Sequence, residues 1–412
     1  MTSLVVLVFL LVYLGMLFGG LPFLRLDRTG IALLGAIVLV ASRSMSVDEA
    51  YRSLHAPTLI LLFSFMVISA QLRLGGFYPW VTRRAGMLNV RPSMLLGTII
   101  AIAAALSAVF SNDVVCLAIA PVLAEICLSR RLNPIPFLIA TACAANIGSA
   151  ATLIGNPQSM LIGQTLNLSF GRYLLVASLP VVLSLFATWA LIVAFARRQG
   201  WIVANYSAAA ASEGHDRQEA SLNRWQTGKG LAVSAALFAC FLFAPWPREL
   251  MALAGAGLLL TSRSLHSRKM LGLVDWQLLI LFMGLFVVNH AMQQTGLPSR
   301  VVDALASHGF DLRSQGPLLA TSFVLSNVVS NVPAVMLLLP TTMGEHAGTV
   351  LALSSTLAGN LLIVGSIANI IVVNEAARNG IRIDWVEHAK LGVPVSLISL
   401  AITSAYLWLL TQ

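Results

Sequence analysis

Charge is scarce in this chain. Only 10% of its 412 residues are Asp, Glu, Lys or Arg, 58% are apolar, and mean hydropathy is +0.86. A soluble domain carries roughly 25% charged residues, so water is excluded as the solvent for most of this surface and a bilayer is required. Acids are the rarer sign, 16 against 25 Lys and Arg, for a net charge of +9. The bases are mostly Arg in short clusters between apolar runs, without a basic stripe or interleaved aromatics. That pattern excludes a nucleic-acid partner and fits loops that set membrane orientation. The four cysteines, Cys116, Cys127, Cys143 and Cys240, lie in apolar segments without CxxC spacing, which excludes a disulfide framework and a zinc site. HExxH, GxSxG and Walker A motifs are absent, so the chain is not read as an enzyme or an ATP-driven pump, and no cofactor is called for. A basic leader and a cleavage site are missing before the apolar run Leu4 to Leu21, which therefore reads as a first membrane helix rather than a removed signal.

The apolar runs fall into two groups, at roughly 2–196 and 229–412, around the polar stretch 197–228. That stretch carries Arg197, Arg198, Glu213, Asp216, Arg217, Glu219 and Arg224, and its composition predicts a cytoplasmic linker between two halves. Two segments mix arginine with aromatic or aliphatic residues, Phe77 to Pro92 and Pro298 to Arg313. Each reads as a helix lying along the membrane surface, and they occupy matching places in the two halves.

The halves also share motifs. Ser111-Asn112-Asp113 opens an apolar run that ends at Pro121; Ser330-Asn331-Val332 opens one that ends at Pro340. The offset is the same at both ends (330 − 111 and 340 − 121). Further on, Asn146-Ile147-Gly148 and Gly155-Asn156-Pro157-Gln158-Ser159 pair with Asn360 and Gly365-Ser366-Ile367-Ala368-Asn369. Asn-to-Gly spacing differs there, nine residues against five (155 − 146 and 365 − 360). Asn, Gly and Pro break helices and free backbone groups that lipid cannot satisfy, so such breaks survive only against protein or a polar cavity. Paired breaks in two halves point to a transporter's binding site. Half-helix N-termini offer N–H groups to an anion, and carbonyl, Asn and Ser oxygens suit a cation. An odd number of crossings per half, five in this reading, inserts the second half upside down.

Asp113 is the one acid in the middle of an apolar stretch, and its counterpart is Val332. An intramembrane acid is a functional candidate by default; it could carry a proton, bind a cation, or cap the half-helix that follows. Glu125, Glu345, His346, Glu375 and His290 sit near run ends and read as interfacial or structural. Cys116 and Cys143 lie near the motifs, where a thiolate could ligate arsenic or a metal, but they read first as small buried residues.

Taken together, Ser111-Asn112-Asp113, Asn146-Ile147-Gly148, Thr152-Leu153-Ile154-Gly155-Asn156-Pro157-Gln158, Ser330-Asn331-Val332-Pro333 and Gly365-Ser366-Ile367-Ala368-Asn369 resemble the ion transporter superfamily. Within it they are most similar to the branch of arsenite permeases, sodium/proton antiporters and anion permeases. The resemblance covers essentially the whole chain. It implies an all-α polytopic membrane protein of two inverted-topology repeats, with re-entrant helical hairpins, broken helices and about ten spanning helices. By position, Ser111, Asn112, Gly155 and Asn156 would form one half of the site, and Ser330, Asn331, Gly365 and Asn369 the other, with Asn146 and Asn360 beside them and Asp113 coupling protons. The third motif residue, Asp113 or Val332, departs from the Ser-Asn-Thr of sodium/dicarboxylate relatives, and Ser159 departs from a frequent Asn. The expected function is secondary transport across the inner (plasma) membrane, exporting arsenite, antimonite or another small oxyanion against H+ or Na+. The alternatives are a sodium/proton antiporter or sodium-coupled anion permease and, in another class, a non-transporting assembly factor or receptor. Expected partners are the solute, the coupling ion and the lipid bilayer, with room for a homodimer and a partner ATPase subunit.

Overall fold

A computed structural model describes residues 2–21, 26–200, 222–262 and 265–410. Glu213, Asp216, Arg217 and Glu219 of the expected linker lie outside the described residues. Apart from one two-residue strand pair, Gly20–Leu21 with Leu26–Asp27, the ordered elements are helices. The first ten are α1 (Thr2–Phe18), α2 (Arg28–Ala41), α3 (Val47–Ser53), α4 (Ala56–Leu74), α5 (Phe77–Gly86), α6 (Pro92–Val109), α7 (Asn112–Ser129), α8 (Pro134–Ser149), α9 (Pro157–Thr165) and α10 (Phe170–Gln199). The next ten repeat their order: α11 (Arg224–Phe243), α12 (Arg248–Leu260), α13 (Ser267–Leu271), α14 (Trp276–Gln294), α15 (Leu297–Ser307), α16 (Gln315–Val329), α17 (Asn331–Leu338), α18 (Ala347–Ala358), α19 (Ile367–Arg378) and α20 (Trp385–Leu410). Seven of them are long and apolar enough to cross a membrane, and five shorter helices are also apolar. Helix α10 runs past position 197 to Gln199, and α11 starts at Arg224, ahead of position 229.

Length alone would count α6 and α7 as two crossings. Their ends say otherwise. The Arg130 guanidinium, just beyond α7, donates to the Leu88 carbonyl, just before α6, at 2.9 Å. Both outer ends therefore lie on one face, and α6–α7 is a re-entrant hairpin whose turn is Phe110-Ser111. The same face holds the end of α4 and the start of α11, where Asn223 N–H donates to the Gly75 carbonyl at 3.0 Å and the Gln71 amide donates to the Gln226 side chain at 2.7 Å. The opposite face gathers the end of α9, the starts of α10 and α12 and the loop before α18. There Arg248 donates to the Gly163 carbonyl at 3.2 Å and Arg172 pairs with Glu345 at 2.9 Å. Each half thus crosses five times, through α1, α2, α4, broken α8–α9 and α10, and then through α11, α12, α14, broken α18–α19 and α20. The odd number turns the second half over.

The two halves interlock. Helix α4 packs on α12, α14 on α2, and α10 on α20, while α6 on α8 and α16 on α18 pack within each half, so one core runs through both halves. The surface helices α5 and α15 fall where arginine beside apolar residues predicted them; each starts after a glycine in left-handed backbone, Gly76 (φ +73°) and Gly296 (φ +70°).

Small residues bring the hairpin against the broken helix. A Cβ on Gly148 would sit 2.4 Å from both the Cα and the carbonyl oxygen of Ala104 in α6, so α8 and α6 touch through backbone. Gly148→Ala should therefore lower stability by about 1–3 kcal/mol through overpacking. Gly257→Ala, whose Cβ meets nothing within 4 Å, should change little; thermal unfolding of the purified chain in detergent measures both.

Candidate functional site

Both broken helices stop where a polar residue can take over from backbone hydrogen bonds. Helix α9 is capped by Asn156, whose Oδ1 accepts from Ser159 N–H at 2.9 Å. Helix α19 is capped by Ser366, whose hydroxyl accepts from Ala368 N–H at 3.2 Å. Such caps satisfy donors that a helix start leaves open. The half-helices α7 and α17 start at Asn112 and Asn331, beneath the turns at Ser111 and Ser330.

Asn146, on the last turn of α8, joins these ends. Its Oδ1 accepts from Asn112 Nδ2 at 2.9 Å and from the Ser366 hydroxyl at 3.0 Å. Its Nδ2 donates to Asn360 Oδ1 at 2.8 Å and to Asn369 Oδ1 at 3.3 Å. Asn112, Asn146, Asn360 and Asn369 are all buried. One carboxamide thus links the first hairpin tip to the break and first turn of the second broken helix. Backbone joins follow: Asn112 N–H donates to the Gly155 carbonyl at 3.3 Å, and Asn369 Nδ2 donates to the Gly359 and Leu362 carbonyls at 2.7 and 2.9 Å. Gly155 admits no side chain, since a Cβ would lie 2.3 Å from the Ser149 carbonyl oxygen.

Of the residues expected at the site, Asn112, Asn146, Gly155, Asn360 and Asn369 come together directly. Asn156 reaches the second half through Thr356, at 3.4 Å from Nδ2. Gly365 lies by the second hairpin, its added Cβ 2.8 Å from Asn327 Oδ1, and Asn331 Nδ2 lies 3.3 Å from a Cβ on Gly359. Ser111 and Asp113 are half-buried at the first tip. The helix is capped at Ser111, without a side-chain cap bond, and among the described residues the Asp113 carboxylate accepts no hydrogen bond, so Asp113 is not serving as a cap. Cys116 and Cys143 are fully buried free thiols.

Asn146 and Asn360 are not counterparts. Asn146 lies inside α8, ten residues before the α9 cap at Asn156, whereas Asn360 lies past the end of α18, six before the α19 cap at Ser366. The spacing mismatch in the motifs is real, and it lets the two amides face one another.

Sequence reasoning missed Asn327 and Ser366. Asn327 donates from α16 to the Ala358 carbonyl at 3.1 Å; an Asn within an apolar helix, one turn before Ser330, was the available signal. Several buried polar atoms lack a protein partner among the described residues: Asn112 Oδ1, Asn327 Oδ1, Asn331 Oδ1 and Asn360 Nδ2. Neither Arg nor Lys enters this network. The arrangement is neutral and hydrogen-bonding, with carbonyl oxygens to spare.

Comparison with known proteins decides the family. The citrate transporter family, CitMHS, matches residues 9–351. The chain belongs to that family. As a CitMHS member it is a multi-pass membrane transporter, which sets aside the receptor or assembly-factor alternative. It is 31% identical over 414 residues to an uncharacterized transporter of Mycobacterium tuberculosis, spanning 93% of this chain and 94% of that one. It is 28% identical over 456 residues to the silicon efflux transporter LSI3 of rice (Oryza sativa subsp. japonica), spanning 93% of each. The YdaH transporter of Alcanivorax borkumensis shares its fold, with a TM-score of 0.55 at 15% identity, over 99% of this chain and 98% of that one.

The second tip stores strain that the first does not. Ser330 has φ +76° and ψ 159°, whereas Ser111 has φ −56°. Such backbone costs a non-glycine residue about 1–3 kcal/mol. Ser330→Gly should raise unfolding stability by about 1 kcal/mol, read against wild type in the same detergent; a loss of stability would show that the turn is unstrained.

Proposed function

We propose that this chain is an ion-gradient-driven exporter of a small hydroxylated acid, arsenite or antimonite or another small oxyanion, with Asp113 coupling transport to protons. The observation that carries the reading is the chemistry of the Asn146 network. It presents amides, hydroxyls and helix N-termini without a fixed cation, which suits a weakly charged solute and is poor for a tricarboxylate. Arsenite is largely an uncharged hydroxide at neutral pH, and so is dissolved silicon, the solute named for the rice relative. Asp113 supports coupling because it is the one acid at the tips and carries no capping duty. The face that bears Arg83, Arg84, Arg91, Arg130, Arg131, Arg197 and Arg198 would be cytoplasmic by the positive-inside rule, and the 197–228 linker with it, in an inner (plasma) membrane.

Coupling to sodium is the second reading, as a sodium/proton antiporter or a sodium-coupled anion permease. The unpartnered carboxamide oxygens of Asn112, Asn327 and Asn331 favour it, because such oxygens suit a hard cation. Expression in an arsenite-sensitive cell should raise resistance, and everted vesicles should show arsenite uptake driven by a proton gradient. Asp113→Asn should cut proton-driven uptake more than tenfold while leaving the amount of folded protein unchanged. Unchanged uptake would remove Asp113 from coupling; uptake that follows sodium alone would favour the second reading.

A further inference from the structure

The two hairpins are unequal in length, and a cavity lies beside the shorter return arm. The return arm of the first, α7, has 18 residues and runs through Pro121; the return arm of the second, α17, has 8 and gives way to a single 3-10 turn at Leu339–Thr341. At 1.5 Å per residue these arms reach about 27 and 12 Å. Sequence explains the stop. After Pro121 come Val122, Leu123, Ala124 and Glu125, which continue a helix; after Pro340 come Thr341, Thr342 and Gly344, the last at φ +94°. Beside the short arm lies a cavity of about 340 Å³, within the usual range for small-ligand sites.

The cavity is built to hydrogen-bond. Its polar lining is Ser53, His55, Thr165, Asn289, His290 and Gln293. Ser53, Asn289 and one ring nitrogen of each histidine are held by Ala50, Tyr13, Leu285, Thr58 and Gln294. That leaves the other histidine nitrogens, Thr165 and Gln293 to donate to or accept from a ligand. The lining holds no Asp, Glu, Lys or Arg. Charges act on it from outside: Glu249 bears on His55, and Glu49 interacts with His290. Glu49, on surface helix α3, is occupied in a capping box with Ser46, whose backbone and hydroxyl donors hold its carboxyl below the usual range. Asn289 is held in place by Tyr13, whose hydroxyl donates to its Oδ1 at 2.9 Å.

The cavity also points at the central site. Leu161 of α9 and Met336 of α17 line it, each five residues beyond the central residue of its half-helix (161 − 156 and 336 − 331). That is about 7–8 Å along the helix axis. Both half-helices run away from the arginine-rich face, so the cavity lies between the Asn146 network and the opposite face. The inverted counterpart of this lining differs in chemistry on the other route. The position matching His55, at the start of α14, is Asp275, and it acts electrostatically on Asp113.

We propose that this histidine-lined cavity is a second binding site, a waiting station for a small uncharged or singly charged oxyacid on its way between the Asn146 network and the face opposite the arginines. The identity of the ligand rests on the proposed function; the existence of the site does not. The test is equilibrium binding to the purified full-length chain, by calorimetry and thermal shift, with arsenite, silicic acid and borate as probes. The cavity is isolated in an Asn146→Ala background, or in Asn360→Ser if the first variant fails to fold, which should bind a probe without transporting it. Adding His55→Ala and His290→Ala should weaken that binding at least fivefold. Absence of binding by every probe in the wild type, or binding indifferent to both histidines, overturns the site. Histidine-dependent binding with no transport of any probe by the wild type keeps the site and overturns the proposed substrate instead.

Discussion

The carboxamide of Asn146 is the join on which the two halves depend. A helix broken inside a bilayer exposes N–H and C=O groups at a cost of several kcal/mol each. Two such breaks and two hairpin tips could not be tolerated separately in lipid. Here the first tip and both breaks are joined by hydrogen bonds, and the second hairpin reaches the second broken helix through Asn327. Asn146 accepts from the first tip and from the cap of α19, and it donates to Asn360 and Asn369. All four of its hydrogen-bonding positions are used, which a single planar amide can do only if its partners arrive from opposite sides. Asn112 arrives from the first half, and Ser366, Asn360 and Asn369 from the second.

The glycines decide how closely the pieces approach. Gly148 and Gly155 let hairpin and broken helix meet through backbone in the first half. In the second half the Asn327 side chain fills the corresponding role against Ala358 and Gly365. That substitution of a side chain for backbone contact accompanies the strained Ser330 turn and the short α17 arm. The halves therefore share an architecture and differ in access: the first hairpin is packed backbone to backbone, and the outer part of the second hairpin's return arm stands beside open volume.

Much of this was legible in the sequence, because broken helices in lipid need rare residues at particular places. Ser-Asn at two positions, Gly155 with Gly365, and the surface helices at Phe77 and Leu297 all show as breaks in apolar monotony. Partners were not legible. Asn146 and Asn360 look like copies and are instead bonded to each other from non-equivalent positions. The packing of α4 on α12 and α14 on α2 left no trace, since helices facing lipid and helices facing protein are equally apolar. Nor could hydropathy tell that α6 and α7 return to one face; that followed from Arg130 reaching the Leu88 carbonyl. The cavity depended on where α17 stops, which a shared Pro alone does not determine.

A double-mutant cycle across Asn146 and Asn360 tests the central join most directly. Asn146→Ala, Asn360→Ala and the double variant would be compared by unfolding in mild detergent. If the amides hold the halves together, the double variant should be less destabilised than the sum of the singles by about 1–3 kcal/mol, as for buried partners in one network. Additive effects, within about 0.5 kcal/mol, would show that the two residues act independently and would contradict the account.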